Sequence, residues 1–422
     1  MDSTTNTDAS TQHGDSAKDA PLLSPPGAAT IAPGRPDGGD VRDRERSNRH
    51  SMASSTSGSG SGSGSIHSQP TSILMPAEVP REPTGSTIVE PDSVFDDSGR
   101  SFHGYKEGKY FLPNDAAEQD RLDLQHAMLM MATGGKLAHA PMDHDPEYVM
   151  DVATGTGIWA IQFANNGTRK HSIELGVRLT PSDVTAQEHP GSHVIGTDLS
   201  KIQPALPMVQ NCEFVKDDAE EEWLYRAPGT GAQLLFDYVH LRMVFTCFPD
   251  NRVVMRHAFD NMRPGGWIEY CDLYIDPSSR DGRHEGSTVQ KFWATFRHGM
   301  SKIGRDMLCP RNYKTWLSEV GFTDIHEQIF RCPLAEWPTD PAQQRLGQYA
   351  LVNLTEGARG FSWKALGFAG LDAEAKENLI AELRHDAGDP SLAIYHPVYV
   401  VYARKPHDWE VEEERTQPQP ET

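Results

Sequence analysis

The chain has 422 residues, with 39 basic and 60 acidic side chains and a formal charge of -21. So acidic a chain lacks the cationic surface that phosphate binding requires, which argues against direct contact with nucleic acid or with an anionic membrane. No run approaches about 18 apolar residues, and the first residues form no basic-then-apolar signal, so a non-secreted protein of the cytoplasm or nucleus is expected.

Residues 1–100 are rich in Ser, Thr, Gly, Pro and Asp and include an alternating Ser-Gly run at 57–65. Such a segment buries too little apolar surface to offset its ordering entropy, and a disordered tail is expected. Arg42, Arg44, Arg46 and Arg49 are interleaved with Asp43 and Glu45, which favours a mixed-charge solvated stretch over an import signal. Order is expected from residue 101. A short aromatic stretch at 105–113 contains Tyr110, and Asn114 and Asp115 then offer an N-cap with Glu118 three residues on. Leu124, Met128 and Met131 follow at helical spacing up to Gly134 and Gly135. This helix, within 101–140, precedes a glycine-rich turn and is positioned to fold back as a lid. Arg121 and His126 lie on it, where helix packing competes with ligand contact.

At residues 148–161 an apolar strand runs to Asp151 and Val152, a turn carries Ala153, Gly155 and Gly157, and Ile158, Trp159 and Ile161 open a buried helix face. The glycines permit a sharp turn and close approach of a ligand to the helix N-terminus. Read from Gly155, the pattern resembles a dinucleotide fingerprint. Read from Asp151 it is Asp-x-Ala-x-Gly-x-Gly, an acidic turn that suits S-adenosylmethionine. A carboxylate at the strand end repels a pyrophosphate and attracts the ammonium and sulfonium of the methyl donor, which favours the second reading.

The next strand, at 193–198, ends in Asp198, where a carboxylate accepts hydrogen bonds from two ribose hydroxyls. Asp198 stands 41 positions after Gly157, against about 20 in the basic strand-helix-strand unit. The surplus falls in residues 166–187, which have neither helical nor strand period. A surface insertion and a translated intron explain these 22 residues equally well.

A third strand at 212–215 leads to Asp217, Asp218 and Ala219, where a carboxylate suits an adenine amino group, although the acidic run 220–222 follows directly. The fourth strand, 234–241, brings His240, Arg242 and Met243 to the sheet end that binds ligands in open α/β folds. Arg242 and Met243 are candidate acceptor contacts, and His240 is either a catalytic base or a hydrogen-bonded structural histidine. A helix at 251–262 precedes a Pro264-Gly265-Gly266 turn and a fifth strand. Helices follow over 288–321, with Trp293, Phe296 and Trp316 as apolar anchors. The last strands fall at 325–330 and 396–403, and the aromatic-rich stretch 334–390 between them is a candidate helical substrate cover. The five cysteines (Cys212, Cys247, Cys271, Cys309, Cys332) are odd in number and scattered, which suggests reduced, mostly buried thiols with no zinc ligand set. Residues 407–422 form an acidic tail.

Phe102-His103-Gly104-Tyr105, Tyr110-Phe111-Leu112-Pro113, residues 118–123 (Glu-Gln-Asp-Arg-Leu-Asp), His126 and the closing Tyr402-Ala403-Arg404-Lys405-Pro406 together resemble the LaeA-like fungal methyltransferase family over about residues 101–406. The resemblance implies a Rossmann-like class I methyltransferase fold, α/β with a seven-stranded, mostly parallel sheet whose last strand is antiparallel. It also implies S-adenosylmethionine as cofactor, held by Asp151, Gly155, Gly157, Asp198 and Asp218, with Ala153, Ala219, Tyr110 and Arg121 as further contacts. The family contains biosynthetic enzymes acting on small molecules and regulators that work with velvet-type partner proteins. Two departures stand out: Ala153 replaces the usual first glycine of the loop, and residues 166–187 interrupt the unit.

Overall fold

The computed structural model describes residues 93–96, 99–142, 144–165, 191–204 and 209–411. The chain divides into units 1–72 and 73–422. The first unit, the stretch expected as an insertion at 166–187, and the tail beyond 411 lie outside the described residues.

A central sheet organises the second unit. The apolar run before Asp151 forms β3 (Tyr148–Val152), buried along almost its whole length as a central parallel strand must be. It pairs in parallel with β4 (His193–Asp198) on one side and β6 (Phe236–Arg242) on the other. Beyond β4 lies β5 (Cys212–Lys216), and beyond β6 lie β7 (Met262–Leu273) and β10 (Ile394–Arg404). β10 is antiparallel to β7 and to β9 (Thr323–Pro333), so it alone among the seven principal strands runs against the rest. The order is β5-β4-β3-β6-β7-β10-β9, seven mostly parallel strands with the last in sequence antiparallel as the resemblance implies, and a two-residue strand β8 (Ser278–Ser279) extends the β7 side of β10. The chain leaves β3 toward β4 and β5, then returns to build β6 and β7 on the other side. Such a reversal of strand order opens a crevice at the carboxyl ends of β3, β4 and β6.

Helices α1 (Ala116–Ala132), α2 (Ile158–Asn165), α3 (Asn251–Asp260), α4 (Thr288–Lys302), α5 (Tyr313–Val320), α6 (Pro341–Phe368) and α7 (Ala373–Asp386) surround it. α6 packs against both α1 and α4 and forms, with them, a helical layer above the crevice. A Cβ at Gly357 of α6 would stand 2.5 Å from the Arg121 Cδ, so this bare position lets the two helices approach closely.

The structure departs from the sequence reading at both ends of the domain and at the cap of α1, and by a few residues at inner elements: α3 ends at Asp260, and the expected turn at 264–266 lies within β7. Structure begins before residue 101: β1 (Val94–Phe95) pairs with β2 (Ser101–Phe102), and Arg100 bonds Asp115 at the start of α1. Val94 and Phe95 are exposed, so backbone pairing rather than apolar burial holds them, and periodicity gives no sign of it. Asp115 caps α1 by accepting the Glu118 N–H at 3.0 Å, but the Glu118 carboxylate turns inward to Arg121 and does not complete a capping box. Residues 407–411 are attached: Glu410 pairs with Arg404, and the His407 ring covers Gly265. No helix of the described residues is long and apolar enough to cross a membrane.

Candidate active site

The turn after β3 is held by backbone geometry. Gly155 has φ +61° and Ala153 has φ +54°, both left-handed. That conformation is free for glycine but costs about 1–2 kcal/mol at Ala153. The Thr154 N–H donates to Thr197 O at 2.8 Å, and the Gly155 N–H donates to Asp198 Oδ2 at 2.9 Å. The Ser200 N–H donates to the other Asp198 oxygen at 2.8 Å, while Gln203 Nε2 donates to Gly155 O at 2.6 Å. Asp198 thus ties the glycine turn to the end of β4 with both oxygens oriented.

A cavity of about 190 Å³ opens beside this turn. Asp151, Ala153, Gly155, Asp198, Asp218 and Ala219 line one part, Tyr110, Arg121, Arg242 and Met243 another, and α1 forms a wall. Met243 is also left-handed (φ +58°), so two non-glycine residues at neighbouring strand ends, Ala153 and Met243, hold strained conformations on the cavity wall. Ten of the twelve site residues expected from the sequence therefore meet around one space. Gly157 and His240 do not line it.

Gly157 lies at a packing contact. A Cβ there would lie 2.4 Å from the Phe214 ring of β5, so its bareness lets the start of α2 sit on that side chain. His240, a candidate catalytic base by its sequence position, is buried and occupied by protein partners. Its Nδ1 lies 2.8 Å from Asp151 Oδ1, and its ring stacks on Trp159 with centroids 3.6 Å apart and planes at 7°. Burial outweighs Asp151 and keeps its pKa below the ordinary histidine value, so the neutral ring donates Nδ1–H to the carboxylate. Asp151 takes the Thr154 hydroxyl on its other oxygen at 2.5 Å.

Arg121 is committed to protein partners: it forms a fork with both Glu118 oxygens and donates from Nη1 to Asn353 Oδ1 of α6 at 2.9 Å. Asp218 is paired with Lys106, at 2.9 Å, and with Lys109, both from the aromatic segment before α1. Burial opposes its charge, but the two ammonium groups outweigh it and hold its pKa below the usual carboxylate range. Arg242 donates to His126 Nδ1 at 2.7 Å, which leaves His126 Nε2–H to donate to Gln162 at 2.9 Å. Burial, and then Arg242, push the His126 pKa well down, so this chain of hydrogen bonds carries one cation and a neutral ring. The cavity continues into an aromatic chamber under α4 and α6, lined by Trp293, Phe296, Phe361 and His396. The sequence marked the three aromatics as anchors or cover but showed His396 only as the start of a strand; a polar residue opening an otherwise apolar alternation was the available signal.

Residues 125–327 match the family model described as a methyltransferase domain. The chain is 30% identical over 315 residues to the methyltransferase pytC of Aspergillus terreus, covering 73% of this chain and 87% of that one. It is 28% identical over 329 residues to the secondary metabolism regulator laeA of Monascus pilosus, covering 76% and 82% respectively. It is 26% identical over 327 residues to the protein-methionine methyltransferase laeA of Emericella nidulans, covering 77% and 80%. With this strand order and this acidic glycine turn, the chain belongs to the LaeA-like family of fungal S-adenosylmethionine-dependent methyltransferases.

Proposed function

We propose that this methyltransferase acts on a small-molecule acceptor of fungal secondary metabolism. The observation that carries the reading is the continuity of one cavity from the Asp198 turn into the aromatic chamber beneath α4 and α6. A buried apolar chamber suits a compact, largely apolar acceptor better than an extended peptide, whose backbone groups would need partners there.

The residues present fit the cofactor. Asp198 is fixed by two backbone donors at the strand end, in the position suited to the two ribose hydroxyls, and Gly155 brings backbone to the cavity wall without a side chain. Asp218 and Ala219 would flank the adenine, and the Asp151 charge would favour the cationic amino-acid portion. S-adenosylmethionine supplies an electrophilic methyl group on a sulfonium. The protein's own part is to align the acceptor atom with that methyl and to exclude water, so proximity and orientation supply most of the rate. Arg242 and Met243 face the same cavity and would orient the acceptor. His240 is enclosed by Asp151 and Trp159, so the acceptor proton leaves to solvent or to another group on the cavity wall.

A regulatory reading is favoured by the relatives named as secondary metabolism regulators; action in the nucleus with velvet-type partners is what the family resemblance adds to it. The two readings separate when the purified chain is incubated with labelled S-adenosylmethionine and extract of its own organism. Label in the organic fraction is the expected result. Label confined to protein, or cofactor binding without transfer, supports the regulator instead.

A further inference from the structure

Two residues that line the aromatic chamber each carry a buried polar atom without a hydrogen-bond partner among the described residues: the Nε1–H of Trp293 and the Nε2 of His396. Both side chains are more than nine-tenths buried, with 6% and 5% of their surface exposed, and both line the cavity. Their rings meet edge to face with centroids 5.8 Å apart, so the two polar groups belong to one region of the chamber. Trp293 also stacks on Phe361 at 9° between planes, and Phe296 stands edge-on to both. Buried polar atoms almost always have partners, and leaving them unmet costs stability unless something else supplies the bond. No carbonyl or hydroxyl among the described residues bonds them, and of the buried side-chain polar atoms without a partner among those residues they are the two whose residues line this cavity.

We propose that Trp293 and His396 form the polar anchor of the acceptor subsite, and that this subsite takes a planar, largely apolar molecule carrying a hydroxyl group. This rests on the small-molecule reading above. A hydroxyl oxygen accepts from the indole N–H, and it either donates to His396 Nε2 or accepts from Nε2–H, so it satisfies the pair in either histidine tautomer. Flat aromatic walls favour a flat occupant through offset and edge-on ring contacts. Burial pushes the His396 pKa down to about 4, so the imidazole is neutral at physiological pH and contributes a hydrogen bond instead of a charge.

The test compares 2-naphthol with naphthalene, each titrated into the full chain saturated with S-adenosylhomocysteine so that no transfer occurs. The wild-type chain is expected to bind 2-naphthol roughly tenfold more tightly than naphthalene. Trp293→Phe keeps a ring but deletes the N–H, and His396→Phe deletes the second polar atom. Each is expected to remove most of that preference while leaving naphthalene affinity within about twofold. The proposal is overturned if neither compound binds, if 2-naphthol gains nothing over naphthalene, or if the preference survives in the variants. S-adenosylhomocysteine affinity is measured alongside. Its absence in the wild-type chain defeats the methyltransferase site itself, whereas its presence without a hydroxyl preference defeats only the anchor. A variant that has lost it has misfolded, and the other variant, together with the two ligands on the wild-type chain, then decides.

Discussion

His240 and Asp151 are register partners on the neighbouring strands β6 and β3, and their side chains meet at 2.8 Å beneath the glycine turn. The imidazole orients the carboxylate from below, while Thr154 does so from the turn. Replacing His240 with Phe preserves a flat ring on Trp159 and removes the donor to a buried carboxylate. A hydrogen bond to a charged group contributes about 1.5–3 kcal/mol, so the melting temperature should fall by several degrees. The turnover number at saturating cofactor should stay within about threefold of wild type. A general base would lose about 10²–10⁴ in rate, so initial-rate measurements on the folded variant discriminate sharply.

Asp198 holds the turn and, in the proposed function, the ribose. Asp198→Ala removes both tasks and should weaken S-adenosylhomocysteine binding by a hundredfold or more, as expected when charge-assisted hydrogen bonds of about 1.5–3 kcal/mol each are lost. Asp198→Asn keeps the shape and one oxygen, so it should lose less. Calorimetric titration of both variants gives the comparison, and equal losses, or none, would remove Asp198 from the cofactor site.

The central strands were legible because parallel central strands are continuous apolar runs with turn residues at their ends, whereas the seven-stranded arrangement with its antiparallel last strand came from the family resemblance. β4 spans residues 193–198, as its sequence pattern indicates, and the acidic group at its end is the one that meets the glycine turn. What stayed hidden depended on register and packing. Nothing in the local pattern tells that Asp151 and His240 are cross-strand neighbours, so a histidine at a strand end looked as able to reach a ligand as to brace the fold. The packing of Gly157 against the Phe214 ring of a distant strand was likewise invisible in the local pattern. The commitment of Arg121 to Asn353, 232 residues away, was equally invisible.

Stability should peak near neutral pH. Burial pushes Glu269 and Asp272 up to about 7, so both retain a proton in the folded state that unfolded carboxylates release near pH 4. Their contribution is full below pH 4 and is lost as pH rises through 7. Burial acts oppositely on histidines: His139 and His396 fall to about 4, and His126 and His240 are also lowered. These stay neutral when folded but protonate when unfolded, so their contribution is present above about pH 6.5 and is lost on acidification. Four histidines outweigh two acids between pH 5 and about 6, whereas only the acids still act above 6.5. Melting temperatures across pH 5 to 8 should therefore rise, pass a maximum between about 6 and 7, and decline. Glu269→Gln should flatten the alkaline decline, and an unchanged slope there would show that Glu269 is ionised in the folded protein.

The pairing of β3 with β4 closes in register from Tyr148–His193 to Val152–Thr197, although 27 residues separate the end of α2 from the start of β4. Among the described residues, the bonds that fasten the glycine turn to β4 run between residues 154–155 and 197–198. Deleting the 22 residues 166–187 joins Asn165 to Glu188 and leaves five residues between helix and strand, an ordinary length for such a connection. Loop closure becomes less costly by about 1.5 kcal/mol, estimated from the logarithmic dependence on loop length. The shortened chain should bind S-adenosylhomocysteine within about threefold of the full chain and melt no lower. Loss of binding or of cooperative unfolding would mean that the stretch contributes contacts to the fold. Sequencing the transcript addresses its origin separately: a message that contains the 66 coding nucleotides makes it a true insertion, and one that lacks them makes it a translated intron.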